Sequence, residues 1–247
     1  MTATYDPTAQ FDIDVSEEIY RSGPDGDWPV RLYRPQGDGP FPVLLDVHGG
    51  AWSNGSYLNN EDVDRALAAS GILVAAIEFR QAPEHVYPAQ VADVKYGTRW
   101  LKARTADLGG APSGDATVRY AINGWPVLDS HARYLYARDA GVERLMKSSE
   151  NYFGDEDTMR EGNPQLVLER GEQTVLPPAL ILQGTKNHSV PLAISERFVA
   201  TYKSLGGSIE RVLFSDMPHA FTREPGPETD RAIQLMKSFI AEQLKDR

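Results

Sequence analysis

The chain has 247 residues and a mass of 27.3 kDa, about the size of one large α/β domain. Its 35 acidic residues outnumber 25 basic ones, giving a net charge of -10, which repels phosphate backbones and anionic lipid and argues against nucleic acid or a membrane as partner. There is no cysteine, which excludes disulfides, thiolate metal sites and a cysteine nucleophile. No apolar run approaches the ~18 residues of a membrane span. The amino terminus has no basic region leading into an apolar stretch, so a cytoplasmic location is expected.

The elements follow from the hydrophobic pattern. Phe11, Ile13 and Val15 alternate, and Val30, Leu32 and Tyr33 sit between Pro, Gly and Asp clusters, which predicts antiparallel edge strands in the first 40 residues. Pro42 to Val47 is nearly continuous in apolar residues, the pattern of a strand buried on both faces. Asn59-Asn60-Glu61-Asp62 offers caps and acids for a helix ending at Gly71. Ile72–Ile77 is a second buried strand, and Pro88–Arg104 is a helix whose apolar side carries Val91, Val94, Thr98 and Leu101. A strand is expected over Val118–Ile122. Further on come a strand at Ala179–Leu182, a helix from Leu192 to Leu205, a strand from Glu210 to Phe214 and a helix from Glu228 to Leu244. Strands alternating with helices predict one domain, 1–247, with a mostly parallel sheet covered on both faces. Residues 125–174 break the pattern and read as a small helical cap.

Ligands of open α/β sheets bind beyond the carboxyl ends of the strands. Three loops sit there. His48-Gly49-Gly50-Ala51-Trp52 follows a buried strand, and its glycines let backbone N–H groups face an anion, as in an oxyanion hole; the alternative is an ordinary glycine turn. The others are Gly184–Pro191 and Met217–Phe221, the second carrying His219, a candidate general base. His85, His131 and His188 read as solvated or packing residues. Trp52, Trp125 and Tyr134 are candidate substrate contacts by position, although core packing explains Trp125 equally well. Tyr136 also lies in the cap segment. Asp129 reads as the cap of a helix starting near His131. No acid–histidine cluster has metal-ligand spacing and no Gly-x-Gly-x-x-Gly follows a strand, so neither metal nor cofactor is expected.

In combination these motifs resemble the α/β-hydrolase fold, and within it the hormone-sensitive-lipase-like esterases and their kynurenine formamidase-like relatives. His48-Gly49-Gly50-Ala51-Trp52 is similar to that family's oxyanion motif. Phe79-Arg80-Gln81-Ala82-Pro83-Glu84-His85 with Tyr87-Pro88-Ala89 resembles its Tyr-Arg-Leu-Ala-Pro-Glu-His stretch. Gly184–Pro191 resembles the loop of the triad acid, and Pro218-His219-Ala220-Phe221 that of the triad histidine. The resemblance spans about residues 28–245. It implies cofactor-free hydrolysis of a small carboxylic ester or aryl-formamide-type amide, with Gly49, Gly50 and Ala51 around the oxyanion. The implied partners are a small-molecule substrate and at most a second copy of the chain as a homodimer.

Two departures stand against it. Asn187 occupies the acid position, where the family has Asp. An amide supplies no counter-charge to an imidazolium. Secondly, no Gly-x-Ser-x-Gly occurs anywhere. Between the helix 88–104 and the strand at 118–122 the chain has only a short loop through Ser113 and Gly114, where a strand, the nucleophile elbow and a helix are expected, about 30 residues. Three readings follow: a unit missing from these 247 residues at 113/114; a catalytically inactive, ligand-binding hydrolase relative; or a substitute nucleophile, Ser113 or Ser53. The first is favoured because removing a central strand would expose the buried edges of both its neighbours.

Overall fold

The computed structural model describes residues 5–112, 117–172 and 175–245; the Ser113–Gly114 junction lies outside them. The chain opens with a hairpin, β1 (Ile13–Gly23) and β2 (Gly26–Pro35), paired antiparallel down to Gly23 opposite Gly26. Gly26 closes the turn at φ +122°, where a side chain would be strained. β2 runs antiparallel to β4 (Leu73–Ile77), and β4 runs parallel to β3 (Val43–Val47). These form one sheet in the order β1-β2-β4-β3. A second sheet, wholly parallel, has the order β5-β6-β7, from Ala121–Gly124, Ala179–Gly184 and Ile209–Phe214. The expected strand at Val118–Ile122 is thus shifted along the chain to 121–124. There the backbone pairs with β6, starting from Ala121 N–H on Pro178 O.

The predicted single sheet is two half-sheets. β4 and β6, each with a neighbour on both sides, are buried at every residue, whereas β3 and β5 are only half-buried. Beyond β3 a parallel ladder begins and stops. Gly110 bridges to Phe41, with Phe41 N–H on Gly109 O at 3.1 Å and Ala111 N–H on Phe41 O at 2.7 Å. Among the described residues no strand continues that ladder along β3, and none pairs with the outer edge of β5.

Helices cover both faces, unequally. α1 (Glu61–Ala69) and α8 (Pro227–Leu244) form a continuous layer over both half-sheets. Val63 and Leu67 of α1 and Ile233, Met236, Phe239 and Ile240 of α8 share one core with Val74 and Ala76 of β4 and Leu180 and Leu182 of β6. Each large side chain removed from water there contributes ~1.5–3 kcal/mol. The opposite face is split. α2 (Ala89–Arg104) covers the first half-sheet, with Leu101 against Val30, Leu73 and Ile77. α7 (Leu192–Ser204) covers the second, with Ile194, Phe198 and Tyr202 against Ile181 and Ile209.

Two local expectations change. The buried side of α2 is Gln90, Asp93, Gly97 and Leu101, and Val91 is exposed. Asp93 sets this rotation by taking the Arg80 guanidinium at 2.8 Å and the Arg80 N–H at 3.0 Å, and by pairing with Arg21 of the hairpin. Gly97 lies where a Cβ would come within 2.9 Å of the Ile77 side chain. At the start of α1, Asn60 is the N-cap by position but makes no side-chain cap. Its amide donates to both carboxylate oxygens of Asp46 instead, at 3.0 and 3.1 Å.

The cap consists of α3 (Ser130–Asp139), α4 (Glu143–Phe153), α5 (Glu156–Glu161) and α6 (Pro164–Glu169). Asp129 caps α3 as expected, accepting from Ala132 N–H at 2.9 Å. Asp155 and Asn163 cap α5 and α6 in the same way.

Candidate active site

The first half-sheet contributes the loop after β3. His48 is buried, stacked on Phe79 with ring centroids 4.3 Å apart, and its Nε2 meets Glu78 Oε1 at 3.0 Å. Burial alone would raise the Glu78 carboxyl, but the hydrogen bond and charge of His48 outweigh it and lower the pKa. His48 thus anchors the loop. The loop then turns tightly. Gly50 has φ +145°, and a Cβ there would lie 1.5 Å from Asn54 O. Ala51 and Trp52 follow at φ 51° and 64°, left-handed conformations that cost roughly 1–2 kcal/mol per non-glycine residue. Gly50 O accepts from Ser53 and Asn54 N–H, at 3.2 and 3.0 Å. The N–H groups of Gly49, Gly50 and Ala51 have no hydrogen-bond acceptor among the described residues. Unspent backbone donors held in a fixed turn are able to bind an anion.

The second half-sheet contributes the other two loops. Gly184 ends β6 where a Cβ would lie 2.1 Å from Met217 O, so only glycine lets them meet. Thr185 N–H reaches Phe214 O at 2.9 Å, and Lys186 N–H reaches Met217 O at 3.0 Å. This brings Asn187 and His219 together, with Nδ1 of His219 3.1 Å from Oδ1 of Asn187. The same oxygen accepts from Ser189 and Val190 N–H, both at 3.0 Å. Two backbone donors fix the amide with its oxygen inward, so Nδ1 carries the proton and Nε2 presents a lone pair. Asn187 Nδ2, by contrast, is buried without a partner, at a cost of about 1–3 kcal/mol. The environment offers donors to an acid and no acceptor to an amide.

His219 as a whole is more than a third exposed, yet its ring is pushed down to about 4, first by partial burial and then by the charges of Arg133, Arg223 and Arg144. The imidazole is neutral at neutral pH, the state a general base needs. Trp125, at φ 41°, is tied by its N–H to Leu182 O at 2.7 Å. Its ring meets His219 edge-on at 6.2 Å and Phe221 at 5.3 Å.

The other sequence candidates divide. Trp52 belongs to the cap's aromatic cluster, stacked on Tyr152 at 5.3 Å and meeting Phe153 edge-on at 5.1 Å. Gln90 holds its carbonyl at 2.6 Å. Tyr134 packs on the same cluster, and its hydroxyl donates to Glu150 at 2.9 Å. Tyr136 reaches His188 O at 3.4 Å. His131 is paired with Glu156 at 2.7 Å. Ser53 Oγ is buried and makes no hydrogen bond, to His219 or to any other described residue. Ser113 lies outside the described residues. No group of three His, Cys, Asp or Glu among the described residues could hold a metal ion, and no helix is long and apolar enough to cross a membrane. Sequence reasoning missed Arg133, which is buried beside Trp52.

The architecture and the strand-end loops define an α/β-hydrolase fold. Solved esterases superpose on it: the carboxylesterase EstE1 from a metagenomic library with a TM-score of 0.79, 22% identity and coverage of 96% of this chain and 92% of that one, and an esterase from Pyrobaculum calidifontis with a TM-score of 0.76, 21% identity and coverage of 94% and 87%. The BD-FAE family matches residues 30–114. Esterase LipC of Mycobacterium tuberculosis is 40% identical over 243 positions, covering 84% of this chain and 60% of its own length. Carboxylic ester hydrolase LipN of the same organism is 35% identical over 113, covering 45% and 30%. The chain spans between 28% and 60% of the length of the curated relatives it matches. In the LipC alignment, 84% of 247 is about 207 residues, so about 36 of its 243 positions have no counterpart here.

Proposed function

We propose that this chain carries the acid–base and oxyanion parts of a cofactor-free hydrolase of small carboxylic esters, with aryl-formamide-type amides as the finer alternative substrate. The observation that carries the reading is the His219–Asn187 contact at 3.1 Å, with the free N–H groups of Gly49, Gly50 and Ala51 on the neighbouring half-sheet. His219 Nε2 takes the proton of an attacking hydroxyl and returns it to the leaving alkoxide. The loop N–H groups hold the carbonyl oxygen as it becomes an oxyanion. Asn187 fixes the imidazole tautomer without supplying charge.

The attacking serine is assigned to a strand–elbow–helix unit that belongs between Gly110 and Ala121, its strand between β3 and β5 and its helix between α2 and α7. Three observations support this place: the parallel ladder that starts at Phe41–Gly110, the half-buried edges of β3 and β5, and the split helical layer; the ~36 unmatched positions in the LipC alignment match the unit in size. A second reading, ligand binding without turnover, is favoured by Asn187 and by the lack of Gly-x-Ser-x-Gly in the 247 residues.

Intact mass and an active-site label separate the two. Protein purified from its native source should exceed 27.3 kDa by several kilodaltons, gain one adduct from a fluorophosphonate and hydrolyse a short-chain aryl ester. A mass of 27.3 kDa with neither adduct nor turnover would leave the ligand-binding reading.

A further inference from the structure

Arg133 lies in α3 with 2% of its surface exposed, and it forms no ion pair with a carboxylate among the described residues. One guanidinium nitrogen, Nη2, donates to Leu145 O, Ser148 Oγ and Ser149 Oγ at 3.2, 3.0 and 3.1 Å, all neutral groups on α4. Nε is buried and makes no hydrogen bond. The guanidinium carbon stands 5.1 Å from the centre of the Trp52 ring, and Trp52 is the last residue of the oxyanion loop. A buried cation without a counter-ion is costly and is kept where something pairs with it.

Two further arginines act with it on the ring of His219. Arg144 directly precedes Leu145, the acceptor of Arg133, and sits in the first turn of α4, where a positive charge opposes the helix dipole. Arg223 ends the short 3-10 helix 221–223, four residues after His219. Neither forms an ion pair among the described residues, in a chain with 35 acidic side chains to draw on. Among the described residues none of the three forms an ion pair, and the charges of all three act on His219, holding its ring below the ordinary value.

We propose that Arg133, with Arg144 and Arg223, recognises a carboxylate on the substrate, so that the preferred ester is the half-ester of a dicarboxylic acid and not a neutral alkyl ester. This rests on the ester-hydrolase reading of the same site. A substrate carboxylate would supply the negative charge that Arg133 lacks among the described residues, and would offset the positive charges that act on His219.

Binding tests this without requiring turnover. Monomethyl succinate and methyl butyrate, which differ chiefly in a terminal carboxylate, are titrated into the 247-residue protein by calorimetry and tryptophan fluorescence. The half-ester should bind about tenfold or more tightly, the scale of a charge-assisted hydrogen bond. Its binding should also move the His219 ring titration upwards, as followed by NMR. Arg133→Met should remove most of that preference, and Arg133→Lys should retain part of it. Should Arg133→Met fail to fold, the exposed pair Arg144→Gln with Arg223→Gln should reduce the preference severalfold. Lys203→Gln, an equal loss of charge at an exposed site on α7, should leave it intact.

Equal affinity for the two esters, an unmoved His219 titration, or a preference unaffected by the arginine variants would overturn the proposal. Preferred binding of the half-ester without hydrolysis by the native protein would sink the catalytic reading alone. Equal hydrolysis of both esters would sink this inference alone.

Discussion

The two half-sheets make an instructive pair. The first is mixed, begins with a long hairpin and carries the strained loop of Gly49, Gly50 and Ala51. The second is wholly parallel and carries the Asn187 and His219 loops. Each is internally complete, with one strand buried from end to end, β4 in the first and β6 in the second. Each also holds its loops by the same means, a glycine pressed against a backbone carbonyl: Gly50 on Asn54 O, Gly184 on Met217 O. What differs from a finished catalytic centre lies between them. Unspent backbone N–H groups sit on one side and the Asn187–His219 pair on the other, and among the described residues no strand joins β3 to β5. Under the proposed function, the parts of a site can be folded locally and still depend on one central element to be joined.

The largest expected effect comes from joining the halves. A strand–Gly-x-Ser-x-Gly–helix unit of about 30 residues, inserted between Ser113 and Gly114, should take ester turnover from none to measurable rates with 4-nitrophenyl acetate. Ser→Ala in the elbow should abolish it again. Failure of the inserted protein to acquire activity, despite a cooperative unfolding transition, would break the comparison. In that completed form, Asn187→Asp should raise turnover by up to about 10⁴-fold, the scale on which a triad aspartate acts. Equal rates with Asn and Asp would remove Asn187 from the triad position.

These residues also show what could be read from the sequence. The loops at 48–52, 184–191 and 217–221 were legible as strand-end loops because close backbone approach restricts residue choice, and Gly50 and Gly184 carry that restriction openly. The pairing of the Asn187 and His219 loops was legible too, and the two side chains do meet. The fold class and most strands followed from short apolar runs. Arg133 was not legible: nothing in the spacing of an arginine in a polar helix says that it is buried without an acid. The face of α2 was misjudged because Asp93 turns inward to hold Arg80 and Arg21, a long-range pairing that apolar periodicity does not record. Tyr134 and Trp52 were placed near the ligand by position, and the structure shows each packed into the cap's aromatic cluster.

Smaller effects sharpen the contrast between central and edge strands. Leu182→Ala on β6 should cost ~2–5 kcal/mol by urea unfolding, and Leu45→Ala on the half-buried β3 about 1 kcal/mol or less. After insertion of the central unit the two costs should converge. Gly184→Ala and Gly50→Ala should each destabilise by about 2–3 kcal/mol, since neither carbonyl can move aside without unravelling its loop.

The smallest effects are those of pH, and they have opposite signs in the two halves. His219 is held below its ordinary value, to about 4, so the unfolded chain takes up its proton first. Its contribution is complete above about 6.5 and is lost as pH falls towards 4. His219→Gln should flatten that part of the stability curve. In the first half, Asp64 of α1 is 1% exposed with Oδ2 unpartnered, and burial and then the Asp46 charge raise its pKa. There the unfolded chain releases its proton first, so stability falls as pH rises above the ordinary carboxylate range. Asp64→Asn should therefore stabilise more at pH 8 than at pH 5, measured by thermal unfolding at both.

The interrupted ladder beside Phe41 and Gly110 has a colloidal consequence as well. A parallel edge with unpaired N–H and C=O groups is a template onto which another chain's strand can grow, and among the described residues β3 and β5 each present one, with Val47 39% exposed at the end of β3. Its surplus of negative charge opposes such growth at low ionic strength and loses reach as salt shortens the Debye length to ~8 Å. Light scattering that rises with protein concentration and with salt, and that disappears once a central strand is supplied, is the behaviour these two edges dictate.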